Sequence, residues 1–198
     1  VCGCYLAKAG LRVLIAEQHY KPGGYCTSFR RGPFTFDAAA HSFGGYRKDG
    51  ITRKVCADLG IEKKLKITKA DPSDTVITPD HTVSFWTDIH RTIEGFGAIF
   101  PEERDNIKNF FQFLLNPDPH SFSRIRSWTF QNLLDQYCTN DRIKTLLAAP
   151  LLGLGGLPPS RMSAFIGSKL FSEFLLDGGY HPESGMQALP DALSERFR

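Results

Sequence analysis

The spacing of apolar and polar positions changes along the chain near Asp88. Before Asp88, short apolar runs bounded by glycine and proline predict β-strands and hairpins. After it, apolar residues recur at helical spacing, which is typical of amphipathic helices. Strands are predicted at residues 11–17, 27–31, 34–36, 75–78 and 82–86, and helices at 1–10, 51–59, 88–99, 101–115, 130–137, 141–147, 160–176 and from 186 onward.

This order predicts an α/β chain with two portions. Residues 1–87 are expected to form a partial nucleotide-binding portion with β-hairpins, and residues 88–198 a mainly helical cap or substrate portion. The near-continuous apolar run of residues 11–17 predicts a strand buried on both faces of a parallel sheet. Asp88 is placed to cap one helix and Pro101 to open the next.

Glu17 stands at the carboxyl end of the predicted strand 11–17. In a Rossmann-type unit, an acid at this place binds ribose hydroxyls and follows the glycine-rich phosphate loop by about 20 residues. Counting back places that loop before Val1, so we expect an internal fragment without its first strand and G-x-G-x-x-G. A helix, a glycine, a strand and an acid are common in α/β proteins. The glycines of "KPGG", Gly23 and Gly24, make the pattern more specific.

Composition and charge exclude several classes of function. The net charge is only +3 and the basic residues are scattered, so the sequence predicts no nucleic-acid partner. The apolar run of residues 146–157 is too short to span a bilayer. The 5 cysteines have no regular spacing and the histidines show no metal-ligand pattern, so we expect no disulfide framework and no metal site. This usage predicts a cytoplasmic protein, with membrane association left open.

Four segments, in order, carry a resemblance: "LAKAGLRVLIAEQHYKPGGYCTSF", "FTFDAAAHSFGG", "GLPPSRMSAF" and "GGYHPESGMQALPDAL". They resemble the phytoene desaturase, carotenoid isomerase and retinol saturase group of FAD-dependent, amine-oxidase-like oxidoreductases. The resemblance implies an FAD/NAD(P)-binding Rossmann-like portion followed by a helical cap, with FAD as cofactor. It also implies an oxidoreductase that desaturates, saturates or isomerises a C=C bond of an isoprenoid polyene.

The resemblance also assigns cofactor-binding roles to residues of this chain. Glu17 would bind the ribose of FAD, while two short segments would lie along the cofactor. The implied cofactor-binding residues are Glu17, Gly23, Gly24, Tyr25, Thr27, Ala39, Ala40 and His41. The family often has glycine where Ala39 and Ser184 stand here. For His41, a place near the flavin or substrate competes with a histidine that is satisfied by backbone in a turn.

A phenylalanine-rich stretch in the second portion has two interpretations. It could line a tunnel or a membrane-surface entry for a polyene, or it could form the core of the cap, which helical spacing favours. The stretch contains Phe110, Phe111, Phe113, Leu114, Leu115, Phe122, Trp128 and Phe130.

Three functions remain open at this point. A polyene oxidoreductase is preferred, with an isoprenoid substrate and possible peripheral membrane contact. The alternatives are an amine-oxidase-like or other NAD(P)/FAD oxidoreductase on a small molecule, and a non-catalytic FAD-binding protein. No nucleophile–base arrangement is recognisable, so catalytic residues stay unassigned, which suits an enzyme whose cofactor performs the chemistry. Without the phosphate loop, we expect the isolated fragment to be inactive, to bind FAD poorly and to aggregate.

Overall fold

The computed structural model describes residues 1–116 and 119–197. The side chains of residues 119, 121 and 122 are not described. The prediction for Phe122 therefore lies outside the described residues. The chain divides into two compact units. The first unit comprises Val1–Lys69 and Gly179–Arg198, and the second comprises Ala70–Gly178. The chain is mixed α/β, and about half of its residues are helical.

The first unit contains three helices and four strands within the described residues. They are α1 (Cys2–Lys8), β1 (Ser28–Arg31), β2 (Phe34–Asp37), α2 (Ile51–Asp58), β3 (Ile67–Lys69), β6 (Tyr180–Pro182) and α9 (Ala188–Phe197). Strands β1 and β2 form the predicted hairpin, in which Phe29 lies opposite Phe36. Gly32 has a φ of 57°, the left-handed conformation that this turn requires. Strand β3 pairs antiparallel with β6, a long-range contact that local patterns do not reveal.

The second unit contains one hairpin and a group of helices. Its elements are β4 (Asp74–Ile77), β5 (Thr82–Phe85), α3 (Ile89–Ile99), α4 (Arg104–Leu115), α5 (Pro119–Ile125), α6 (Phe130–Tyr137), α7 (Asp141–Gly155) and α8 (Ala164–Leu170), which continues as a π-helix over Phe171–Leu176. The side chain of Asp88 accepts a hydrogen bond from the backbone N–H of His90 and caps α3 as predicted.

The core of the second unit is built from phenylalanine rings. Phe85, Phe96, Phe110, Phe111, Phe130 and Phe171 are each 0% exposed. The ring centroids of Phe110 and Phe171 lie 5.8 Å apart in an edge-to-face arrangement. The core interpretation of the phenylalanine-rich stretch is therefore confirmed for Phe110, Phe111 and Phe130, while Leu115 is exposed.

The predicted buried strand at residues 11–17 is wrong for this structure. These residues form no strand, and Leu11, Leu14 and Ile15 are 56%, 93% and 55% exposed. A strand needs a hydrogen-bonded neighbour, and no strand among residues 1–116 and 119–197 pairs with this segment. The described strands form only two-stranded antiparallel ladders, so the predicted parallel sheet does not occur in this part of the chain.

The boundaries of the two units differ from the boundaries predicted for the two portions. The hairpin β4–β5 precedes residue 88, yet its Val83 and Phe85 are buried in the phenylalanine core of the second unit. Helix α9 returns to the first unit, where Ala192 packs with Cys56, Ile61 and Leu65. Because these contacts join distant parts of the sequence, a change in local periodicity cannot locate them. The roles given to the two portions stay predictions.

No helix in the described part of the chain has both the length and the apolar character that crossing a bilayer would require.

Candidate functional site

Glu17 lies at the start of a loop that leads to the two predicted glycines. Its Oε1 accepts a hydrogen bond of 2.9 Å from the backbone N–H of His19, and the side chain is exposed. This contact turns Oε1 back onto its own loop, while the residue as a whole is exposed. An exposed carboxylate oxygen of this kind can accept hydrogen bonds from ligand hydroxyl groups.

Gly23 and Gly24 both have positive φ, 135° and 55°, but their surroundings differ. A Cβ on Gly23 would lie 2.9 Å from Cγ of Pro190 and 3.1 Å from Cγ2 of Thr27. The close approach at Gly23 is therefore to the protein's own α9. A Cβ on Gly24 would meet no atom within 4 Å. Of the two glycines, Gly24 is thus the one whose backbone is open to a ligand.

Backbone hydrogen bonds join the glycine loop to the segment that follows β2. The N–H of Ala40 donates to the carbonyl of Tyr25 at 3.0 Å, and the N–H of Ala38 donates to the carbonyl of Thr27 at 2.8 Å. Thr27 is buried and its Oγ1 donates to the carbonyl of Gly24 at 3.0 Å. Tyr25 is 81% exposed. The structure therefore brings together predicted residues from two separate segments: Gly24, Tyr25, Thr27 and Ala40.

His41 lies at the edge of this group and is exposed. Its Nδ1 lies 3.4 Å from the carbonyl oxygen of Ala39, and its own carbonyl accepts a 2.8 Å hydrogen bond from Nδ1 of His181. The ring thus contacts the backbone of its own segment, as the structural alternative for this histidine expects. A role beside a cofactor stays a prediction.

Asp37 joins this region to the amino end of α9, and the sequence did not reveal it. Its Oδ1 accepts hydrogen bonds from Oγ of Ser28 at 2.6 Å and from the N–H of Met186 at 2.9 Å. The N–H of Gln187 donates to Oγ of Ser28 at 3.2 Å. A carboxylate near the amino end of a helix is stabilised by the unpaired N–H groups and by the helix dipole. Its partner Met186 lies 149 positions away and contributes a backbone N–H, so no local signal in the sequence indicates this role.

The side chains of this region are suited to contacting a ligand rather than to attacking one. Burial, and then the negative charge of Asp37, raise the pKa of the Cys26 thiol, so it stays protonated at neutral pH and is a poor nucleophile. No group of three or more histidine, cysteine, aspartate or glutamate side chains in the described part of the chain could hold a metal ion. The open backbone at Gly24 and the exposed carboxylate of Glu17 are the groups of this loop that a ligand could contact.

Comparison with known proteins shows what this region is similar to. Residues 1–59 match the family model of an NAD(P)-binding Rossmann-like domain. That range contains α1, the hairpin, α2 and every residue predicted to bind a cofactor. The region that is similar to a Rossmann-like domain therefore lies within the first unit. The matched range is less than a third of the 198-residue chain.

Curated relatives extend the similarity beyond the Rossmann-like part. The chain is 31% identical to the all-trans-retinol 13,14-reductase of Rattus norvegicus over 113 residues, which cover 55% of this chain and 19% of the relative. It is 22% identical to that of Danio rerio over 212 residues, covering 91% of this chain and 35% of the relative. With the Homo sapiens protein it shares 46% identity over 48 residues, which are 24% of this chain and 8% of the relative. The chain therefore spans about a third or less of these relatives, and the similarity is to oxidoreductases.

Proposed function

We propose that this chain is part of an FAD-dependent oxidoreductase that acts on a C=C bond of an isoprenoid polyene, with retinoid-like molecules as the preferred substrate class. The observation that carries the proposal is the similarity to retinol reductases, which covers 91% of the chain in the Danio rerio comparison and includes the Rossmann-like part. A match confined to the Rossmann-like part would indicate a cofactor class alone.

Three residues of this chain would hold the cofactor. The carboxylate of Glu17 would accept hydrogen bonds from ribose hydroxyls, and the open backbone of Gly24 and the exposed side chain of Tyr25 would contact the cofactor. The segment of Ala39, Ala40 and His41 is held in place by the hydrogen bond between Ala40 and Tyr25. Bound FAD supplies the hydride chemistry, and the protein supplies position and exclusion of water.

Titration with FAD tests the proposal, with the protein expressed from its whole reading frame. We expect bound flavin to be visible by absorption, and Glu17→Gln to weaken FAD binding about threefold to tenfold, as expected for the loss of about 1 kcal/mol of hydrogen bonding. Glu102→Gln, which changes an exposed carboxylate of the second unit, is the matched control. Bleaching of bound flavin by a retinoid or carotenoid would support the substrate class. A folded protein that takes up no FAD would contradict the proposal.

A nicotinamide cofactor is a second candidate, because the matched family model is described as NAD(P)-binding. The same residues would then bind the adenosine ribose of NAD(P), whose hydroxyls have the same chemistry as those of FAD. Titration with NADPH, followed by its fluorescence, separates the two candidates. Saturable NADPH binding that Glu17→Gln weakens, without any uptake of FAD, would favour this second candidate.

A further inference from the structure

A concave site lies in the first unit, and none of its lining residues belongs to the glycine loop. Its cavity has a volume of about 430 Å³, which falls within the usual range for small-molecule sites. The residues that give it chemical character are Tyr46, Arg47, Arg53, Glu62, Lys69 and Tyr180. None of them was predicted to bind a cofactor, and the retinol reductase similarity assigns them no role.

Two tyrosine rings form the aromatic wall of this cavity. Tyr180 is only 7% exposed, and its ring centroid lies 5.7 Å from that of Tyr46. The pairing of β3 with β6 places Lys69 directly opposite Tyr180. Phe43 supports both rings from behind, with centroid distances of 5.8 Å to Tyr46 and 6.4 Å to Tyr180. The wall is therefore fixed by a ladder and by ring packing. Its two rings are tilted by 55° to each other, so a flat group can lie along one ring with its edge towards the other.

Positive charge exceeds negative charge among the residues that line the cavity. The guanidinium of Arg53 lies 5.9 Å from the Tyr46 centroid and bonds Oε1 of Glu62 at 2.8 Å. The ammonium of Lys69 lies 5.9 Å from the Tyr180 centroid. Glu62 is thus engaged with Arg53, while Lys69 lines the cavity and is exposed. A phosphate or carboxylate beside Lys69 would gain charge-assisted hydrogen bonds.

We propose that this cavity binds an organic anion in which a phosphate or carboxylate is attached to a flat unsaturated group. The anion lies against Lys69 and Arg53, and the flat group lies against Tyr46 and Tyr180. Burial, reinforced by the charge of Glu62, raises the pKa of the Tyr46 hydroxyl, so it keeps its proton and can donate to the anion. This site requires neither FAD nor a polyene, so its test is independent of the proposed function.

Phenyl phosphate is the probe, and calorimetry with ligand-detected NMR is the measurement. We expect saturable binding of phenyl phosphate, weaker binding of inorganic phosphate, and still weaker binding of the neutral benzyl alcohol. Lys69→Gln should weaken phenyl phosphate binding about threefold to tenfold. Lys54→Gln, which removes an exposed charge that does not line the cavity, should leave it unchanged.

A variant that is expected to bind phenyl phosphate more tightly complements the test, because a folding defect would weaken binding rather than strengthen it. Glu62→Gln removes the acidic group of the lining while keeping an oxygen that Arg53 can bond, so it should strengthen phenyl phosphate binding severalfold. The proposal is overturned if Glu62→Gln and Lys69→Gln bind phenyl phosphate as the unmodified protein does. Equal affinity for inorganic phosphate and phenyl phosphate would overturn the role of the tyrosine wall, and equal affinity for benzyl alcohol would overturn the role of the charge.

Discussion

Glu103 shows how a single buried carboxylate is accommodated in the second unit. It is 2% exposed, and its Oε1 accepts hydrogen bonds from the N–H and Oγ1 of Thr139, at 2.9 and 2.6 Å, and from the N–H of Asn140 at 2.8 Å. Its Oε2 accepts from Nδ2 of Asn106 at 2.7 Å. Burial alone would raise the pKa of this carboxyl, but these hydrogen bonds outweigh it and hold the pKa below its ordinary value.

The lowered pKa of Glu103 predicts a pH-dependent contribution to stability. Because the folded-state pKa lies below the unfolded value of about 4.3, the ionised carboxylate stabilises the fold above that pH. The contribution is lost as pH falls through the folded pKa. Glu103→Gln should lower the free energy of unfolding by about 1–3 kcal/mol at pH 7. Denaturant titrations from pH 7 to about pH 3 should show this difference shrinking. A difference that stays constant over that range would refute the assignment, and Glu102→Gln serves as the exposed control.

Two glycines in helices of the second unit provide a matched pair for core packing. A Cβ on Gly167, in α8, would lie 2.5 Å from Cδ2 of the fully buried Phe130 ring, whereas a Cβ on Gly153, in α7, would meet no atom within 4 Å. We therefore expect Gly167→Ala to destabilise the protein by about 1–3 kcal/mol through overpacking. Gly153→Ala should stabilise it by up to about 1 kcal/mol because alanine favours a helix over glycine. Urea midpoints at unchanged m-values measure both, and stabilisation by both variants would show free space beside Phe130.

At the scale of elements, Asp37 joins the hairpin β1–β2 to α9. It is the last residue of β2, and it accepts the N–H of Met186 just before the helix begins. Asp37→Ala should cost about 1–2 kcal/mol, the usual loss for removal of a helix-capping side chain, and Asp37→Asn should cost less because one oxygen remains. Hydrogen exchange at the amides of Met186 and Gln187 should accelerate in Asp37→Ala. Asp49→Asn, at an exposed loop position, is the control, and unchanged exchange at both amides would contradict this role.

Local signals explain which elements could be predicted from the sequence. Asp88 caps its helix and the Gly32 turn forms its hairpin, because both effects act within a few residues. The prediction of a strand at residues 11–17 was wrong, because an apolar run becomes a strand only where a neighbour supplies hydrogen bonds. The pairing of β3 with β6 was missed for the related reason that its partners, such as Thr68 and His181, lie 113 positions apart.

The candidate site likewise contains residues that could be predicted from the sequence and one whose role could not. The resemblance selected Gly24, Tyr25, Thr27 and Ala40, and the structure places them together through backbone hydrogen bonds. The role of Asp37 could not be predicted, since its partner Met186 lies 149 positions away and contributes a backbone group that any residue carries. Whether these residues bind a cofactor stays a prediction.

At the scale of the whole molecule, the two units differ in how the chain builds them. The second unit is one continuous segment, Ala70–Gly178, and it contains the phenylalanine core. The first unit needs both ends of the chain, since α9 packs on α1 and β6 pairs with β3. A continuous segment of about 100 residues with its own core has the size of an ordinary domain.

We therefore expect residues 70–178 to fold when expressed alone, whereas residues 1–69 alone should not. Circular dichroism should show a cooperative thermal transition for the segment 70–178, and Phe171→Ala should lower its midpoint, because truncating a buried phenylalanine costs about 3–5 kcal/mol. Ser123→Ala, at an exposed position, should leave the midpoint nearly unchanged. A broad transition that Phe171→Ala does not shift would mean that the isolated segment collapses without specific packing, since a loosely packed core does not register the loss of one ring. The phenylalanine core would then require residues of the first unit in order to form.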